Sequence, residues 1–172
     1  METIQNTYLI KALAAYPYEL EEAVESLNYA LSYDANNVQA LCLMGRIYSD
    51  HLRDVATAKE YYAAAMASNM EYAALYPAYG RVLIINDDFD EVKKLIDFGL
   101  TIKGADKAAL HLVQGQAYEA QGLYEQAKAS FKTAKREGLN NDFISFVENE
   151  LARVKKKMPK KKKSKKSRKK KK

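Results

Sequence analysis

An all-α solenoid of stacked helical hairpins is the fold class this sequence predicts, closed by a capping helix and followed by a disordered lysine-rich tail. Three observations predict it. A small–polar–apolar step recurs every 35 residues, as Gly45-Arg46-Ile47-Tyr48, Gly80-Arg81-Val82-Leu83 and Gly115-Gln116-Ala117-Tyr118. Each copy is followed, on helical spacing, by a small, a larger apolar and a second small residue: Ala58, Tyr62, Ala65; Val92, Ile96, Gly99; Ala127, Phe131, Ala134. The two signs of charge are also segregated. Residues 155–172 hold 14 Lys and Arg and no acid, while the chain before them sets 14 basic residues against 22 acidic ones. A period in the mid-thirties with two helical segments marks hairpins that must stack to bury their apolar faces. Small residues belong where two helices approach most closely, and large ones fill the space between.

The last copy is the fullest: Gly115, Tyr118, Gly122, Tyr124, Ala127, Phe131 and Ala134 at their respective spacings. On these residues the chain resembles the tetratricopeptide repeat (TPR) family over roughly residues 4–140. The resemblance implies four helix pairs, about 4–37, 38–72, 73–107 and 108–140, then a capping helix over 141–157 and a tail over 158–172. The first pair lacks the first-helix glycine and tyrosine and reads as a degenerate opening repeat, as terminal repeats often are.

Each element has its own local reason. Ile4, Leu9, Ile10 and Leu13 make Thr3–Tyr16 an apolar-periodic helix that Pro17 stops. Glu19–Ser32 follows with Ala23, Leu27, Ala30 and Leu31 on one face and acids in its first turn, where the helix dipole favours them. Asn36 or Asn37 caps a helix over Val38–Asp50, and Asp54 caps Val55–Ser68. The turn His51-Leu52-Arg53 between them carries one residue more than the last repeat has. The third pair spans Glu71–Asn86 and Asp88–Ile102, with Asn86-Asp87-Asp88 as its cap signal. Pro77 lacks an N–H and crowds the preceding turn, so a late start or a kink is expected there. Gly104 ends that pair. Asp106–Gln121 and Tyr124–Glu137 are turned by Gly122 and closed by Gly138. Asn141 or Asp142 then caps an amphipathic helix over Phe143–Lys157, whose Ile144, Val147, Leu151 and Val154 cover the otherwise bare end of the array.

Composition limits the function classes. Hydrophobic residues make up 48% of the chain, yet no apolar run approaches the ~18 residues of a membrane-spanning helix. The N-terminus does not read as a signal peptide. One cysteine and two histidines offer no disulfide and no metal-ligand spacing, so no metal and no cofactor is expected, and a cytoplasmic location is the default. His51 lies in a polar turn beside Asp50 and Asp54 with no nucleophile near it, and His111 reads as a packing residue. The glycines are spread over helix contacts and caps, not gathered in a phosphate-binding loop. Nothing in the pattern calls for an enzyme.

Function is expected on the concave face. In the TPR family the first helix of each pair lines that face, and the residue after the repeat's glycine points into it. This implies a ladder of Arg46, Arg81 and Gln116, with Tyr8, Gln39, Cys42, Ser49, Leu112 and Glu119 on the same face. Two stacked arginines suit a peptide carboxylate or acidic side chain held bidentately. They equally suit pairing with acids of a neighbouring helix. The idea is similar to the carboxylate clamp of chaperone-binding TPRs, but that clamp's asparagine and lysine pattern is missing, so chaperone tails are not expected as ligand. Cys42 reads as a reactive thiol or as a small hydrophobe. Among the 13 tyrosines, Tyr48, Tyr62, Tyr118 and Tyr124 fall on core positions, while Tyr8, Tyr16, Tyr29, Tyr33, Tyr61, Tyr72, Tyr76 and Tyr79 are less constrained and include candidates for a ligand surface.

The tail is the second feature. Lys160, Lys161, Lys162, Lys163, Lys165, Lys166, Arg168, Lys169, Lys170, Lys171 and Lys172 carry no interleaved aromatic. Such a segment binds nucleic acid or another polyanion without reading sequence, and salt weakens it steeply. An anionic membrane, the chain's own acids at Asp87, Asp88, Asp90 and Glu91, a nuclear import signal in a eukaryotic cell, and a merely solubilising tail are the other readings. The whole chain is thus expected to be a protein-binding scaffold or, alternatively, a nucleic-acid- or ribosome-associated accessory protein anchored by its tail.

Overall fold

The computed structural model describes residues 2–159, with side chains from residue 7 onward. The described residues form nine α-helices and no strand. They run as four antiparallel pairs: α1 (Glu2–Ala15) with α2 (Leu20–Tyr33), α3 (Val38–Ile47) with α4 (Val55–Ser68), α5 (Leu75–Ile85) with α6 (Phe89–Gly99), and α7 (Lys107–Ala120) with α8 (Tyr124–Glu137). The last helix, α9 (Asn141–Lys157), packs on α8. None of the described helices is long and apolar enough to cross a membrane. The tail expected over 158–172 lies, from residue 160 on, outside the described residues.

Capping residues set most of the boundaries. Asn37, Asp54 and Asp106 each accept the backbone N–H three residues on, from Ala40, Thr57 and Ala109, which satisfies a donor the helix start would otherwise leave bare. Two expected caps differ. Asp88 precedes α6, but its carboxylate accepts from Lys59 Nζ and Asn86 Nδ2 and caps nothing. Asn140, not Asn141 or Asp142, caps α9 by accepting from the N–H groups of Asp142 and Phe143.

The extra residue of the second pair is absorbed as a π-turn over Tyr48–Leu52 instead of lengthening a loop. Arg53 closes it in the left-handed region (φ 58°), and the Asp54 N–H reaches back to the Tyr48 carbonyl at 3.0 Å. Inserting one residue into a helix commonly has this outcome. Pro77 is the third residue of α5, where its missing N–H has no acceptor to lose, and the helix accordingly starts at Leu75 and not at Glu71. Helix α6 stops at Gly99, short of Ile102, and the chain turns through Gly104 at φ +79°.

Close approach explains the repeated glycines. A Cβ on Gly45 would lie 2.8 Å from the Tyr62 ring, and one on Gly115 would lie 2.5 Å from the Phe131 ring. Both rings are fully buried, so in the second and fourth pairs the first helix rests on the large residue of its partner. At Gly80 the nearest atom belongs to Val113 of the following pair, at 2.8 Å. Three apolar clusters run end to end, across α1–α3, across α3–α7, and across α7–α9. In the last, Val147, Leu151 and Val154 of α9 close over Ala127, Phe131 and Ala134. Ile10 and Leu13 of α1 remain exposed. Tyr76 and Tyr79, which the sequence leaves less constrained, are core residues at 0% and 7% exposure. Tyr79 stacks on Tyr62 at 5.4 Å between ring centroids.

Candidate ligand groove

Helix α3 puts Gln39, Cys42, Leu43 and Arg46 on one face because these positions differ by three or four residues. Leu13 of α1, Tyr62 of α4, and Tyr72, Ala74 and Ala78 in and just before α5 complete a cavity of about 190 Å³ around them. Three of the expected groove residues, Gln39, Cys42 and Arg46, are thereby brought together. Sequence reasoning missed Leu13, Tyr62 and Ala78 as lining residues, because they come from three other helices. Tyr72 is only one of many unconstrained tyrosines in the sequence; in the fold it lines the same cavity as Gln39.

Arg46 is exposed and reaches the hydroxyl of Tyr16 and the neighbourhood of Tyr62. Arg81, one repeat on, is exposed as well and also acts on Tyr62. Burial raises the Tyr62 phenol above its ordinary range, and the two guanidinium groups oppose that rise. Neither arginine has a carboxylate within 4 Å among the described residues. The Cys42 thiol is pushed up to about 12 by burial, against the pull of Arg46. It is protonated at neutral pH and a poor nucleophile, which favours the small-hydrophobe reading.

The remaining expected residues lie elsewhere. Tyr8 stacks on Tyr29 and Tyr33 of α2, at 5.1 and 6.0 Å. Ser49 is buried in the π-turn and donates to Asp50 Oδ1 and the Arg46 carbonyl. On α7, Leu112 packs into the C-terminal cluster and Gln116 Nε2 meets Glu150 Oε2 at 3.4 Å. Glu119 is only 6% exposed at its side chain and is clasped by Arg153 and Lys157 of α9. Arg153 Nε donates to Glu119 Oε1 at 2.9 Å, while its Nη1 donates to Glu150 Oε1 at 2.6 Å. The Arg153 hydrogen bond holds the Glu119 carboxyl below its usual range against the opposing effect of burial. Of the expected groove residues, Gln116 and Glu119 of α7 are thus engaged by side chains of α9, whereas the α1–α3–α5 section carries the cavity.

The stack of paired helices has solved counterparts. The crystal structure of the MamA protein matches with a TM-score of 0.66 over 91% of this chain and 89% of that one, at 15% identity. A thermophilic TPR protein of Thermus thermophilus matches with a TM-score of 0.50 over 86% of this chain and 99% of its own, at 14% identity. The fold is that of the tetratricopeptide repeat. No protein-family model and no curated protein matches the chain. In TPR terms, Arg46 and Arg81 follow the glycines of the second and third pairs, and Gln116 follows that of the fourth.

Proposed function

We propose that the chain is a non-enzymatic scaffold whose α1–α3–α5 groove holds an extended segment of a partner protein by an acidic side chain or a terminal carboxylate. The carrying observation is that Arg46 and Arg81 stand on consecutive first helices, exposed, with no carboxylate within 4 Å among the described residues. Elsewhere in the chain Arg153 clasps two carboxylates. An arginine fork left without an anion beside an apolar cavity is suited to a ligand that supplies both an anion and an apolar side chain. An extended chain rises about 3.3 Å per residue, so a partner segment with two acidic groups a few residues apart would engage both arginines.

Fluorescence anisotropy with peptides that carry paired glutamates around a leucine tests the reading. Arg46→Gln and Arg81→Gln are each expected to weaken binding about tenfold or more, as a hydrogen bond to a charged group contributes roughly 1.5–3 kcal/mol. Salt should weaken the wild type and barely touch the double variant. Binding indifferent to both substitutions would reject the groove as the site.

A further inference from the structure

We propose a second docking site, on the outer face between α4 and α6, for an amphipathic helix of another protein. A cavity of about 310 Å³ opens there, at the small end of ligand-binding cavities. Its walls are Met66 and Met70 from α4 and the turn after it, Tyr79 and Leu83 from α5, and Leu95 and Phe98 from α6. Met70 and Phe98 are 50% and 40% exposed, so apolar surface continues from the cavity onto the rim. Two thioethers in the wall let it adapt to the side chain that enters.

The rim specifies the partner. Glu91 and Lys94 edge the cavity, exposed and one turn apart on α6, and neither has an opposite charge within 4 Å among the described residues. Their neighbours are engaged: Asp88 takes Lys59, and Lys93 takes Asp97. An anion and a cation one turn apart, about 5–6 Å between Cβ atoms, match a cation and an anion one turn apart on a helix of pitch about 5.4 Å laid alongside. Same-face residues of an extended strand lie farther apart, at about 6.7 Å. The partner is thus a helix with apolar residues aimed into the cavity and one residue of each charge beside them, the helix-in-groove mode. The stacked Tyr62–Tyr79 pair forms the partition between this cavity and the inner groove, since Tyr62 lines the groove and Tyr79 lines the outer cavity. The two sites take different ligands and are independent in their residues.

The test uses two labelled helical peptides with leucines one turn apart, flanked by lysine and glutamate one turn apart, identical but for exchange of the two charges. The wild type should prefer one order by about three- to tenfold, the range two partly exposed ion pairs support. Glu91→Lys combined with Lys94→Glu should invert that preference. Met70→Trp, at an exposed position that tolerates bulk, should weaken both peptides. Glu91→Gln and Lys94→Gln should abolish the preference without inverting it, which keeps the test valid if the exchanged variant misfolds by circular dichroism. Arg46→Gln with Arg81→Gln should leave these affinities unchanged. Equal binding of the two peptides by the wild type, an uninverted preference in a folded exchange variant, or loss on removing the groove arginines would overturn the proposal.

Discussion

Phe131→Ala is expected to cost about 3–5 kcal/mol of unfolding free energy, the range for truncating a fully buried phenylalanine. The ring joins three helices: it sits on α8, lies under the backbone of α7 at Gly115, and is covered by Val147, Leu151 and Val154 of α9. The array around it does not collapse easily, because Ala127 and Ala134 beside it are already small. In a stacked array each pair touches only its neighbours, so amide protection should fall first in α7–α9 and least in α1–α3. Thermal unfolding should drop by roughly 2–4 °C per kcal/mol for a domain of this size. Gly115→Ala probes the same contact from the other side. Its Cβ would meet the Phe131 ring at 2.5 Å, and overpacking of this kind costs roughly 1–3 kcal/mol. Combined with Phe131→Ala the clash disappears, so the double variant should be less unstable than the sum of the singles. Strict additivity in denaturant unfolding would contradict the contact.

Arg153→Met is expected to destabilise the C-terminal end by about 2–4 kcal/mol. It takes the arginine from Glu119 and Glu150, both almost buried, leaving Lys157 to the first and only the long Gln116 amide contact to the second. Removing one member of a fully buried pair costs roughly 3–5 kcal/mol; the value here is lower because Arg153 is half exposed and water screens it. The pH dependence carries the sign. In the wild type the Glu119 carboxyl is held below its ordinary 4.5, chiefly by Arg153. Its contribution to stability is therefore present above pH 4.5 and is lost as the pH falls through the lower, folded value. In the variant, burial opposes the charged form without the arginine's help. The gap in stability between the two proteins should be widest at neutral pH and narrow as the carboxylates protonate in acid. A gap that stays constant from about pH 7 to about pH 3 would show that Arg153 acts by packing alone.

These two sites differ in how far the sequence discloses them. Gly115 and Phe131 are legible because each repeats, at Gly45 and Tyr62, in another copy with the same need for close approach. Asn37, Asp54 and Asp106 are legible because a cap is satisfied within three residues. Asp88 carries the same local signal, yet Lys59, 29 residues earlier, takes its carboxylate. Glu119 matches a groove position in pattern, and only the folded path of α9 brings Arg153, 34 residues away, onto it. Tyr76 and Tyr79 are buried by the late start of α5 and the stacking of Tyr62, neither of which leaves a periodic trace. Local periodicity thus records which faces are apolar and where helices begin. It does not record which neighbour covers a polar residue, so the α7 part of the groove is not separable in sequence from the α1–α3–α5 part.

Backbone and side-chain NMR of the protein titrated with an acidic, leucine-bearing peptide tests the groove most directly. Shifts gathered on Gln39, Cys42, Arg46, Tyr72 and Arg81, with α7 and the outer faces silent, are the predicted result. Shifts confined to the outer faces, or spread evenly over every basic residue, would contradict a groove built to hold a partner segment.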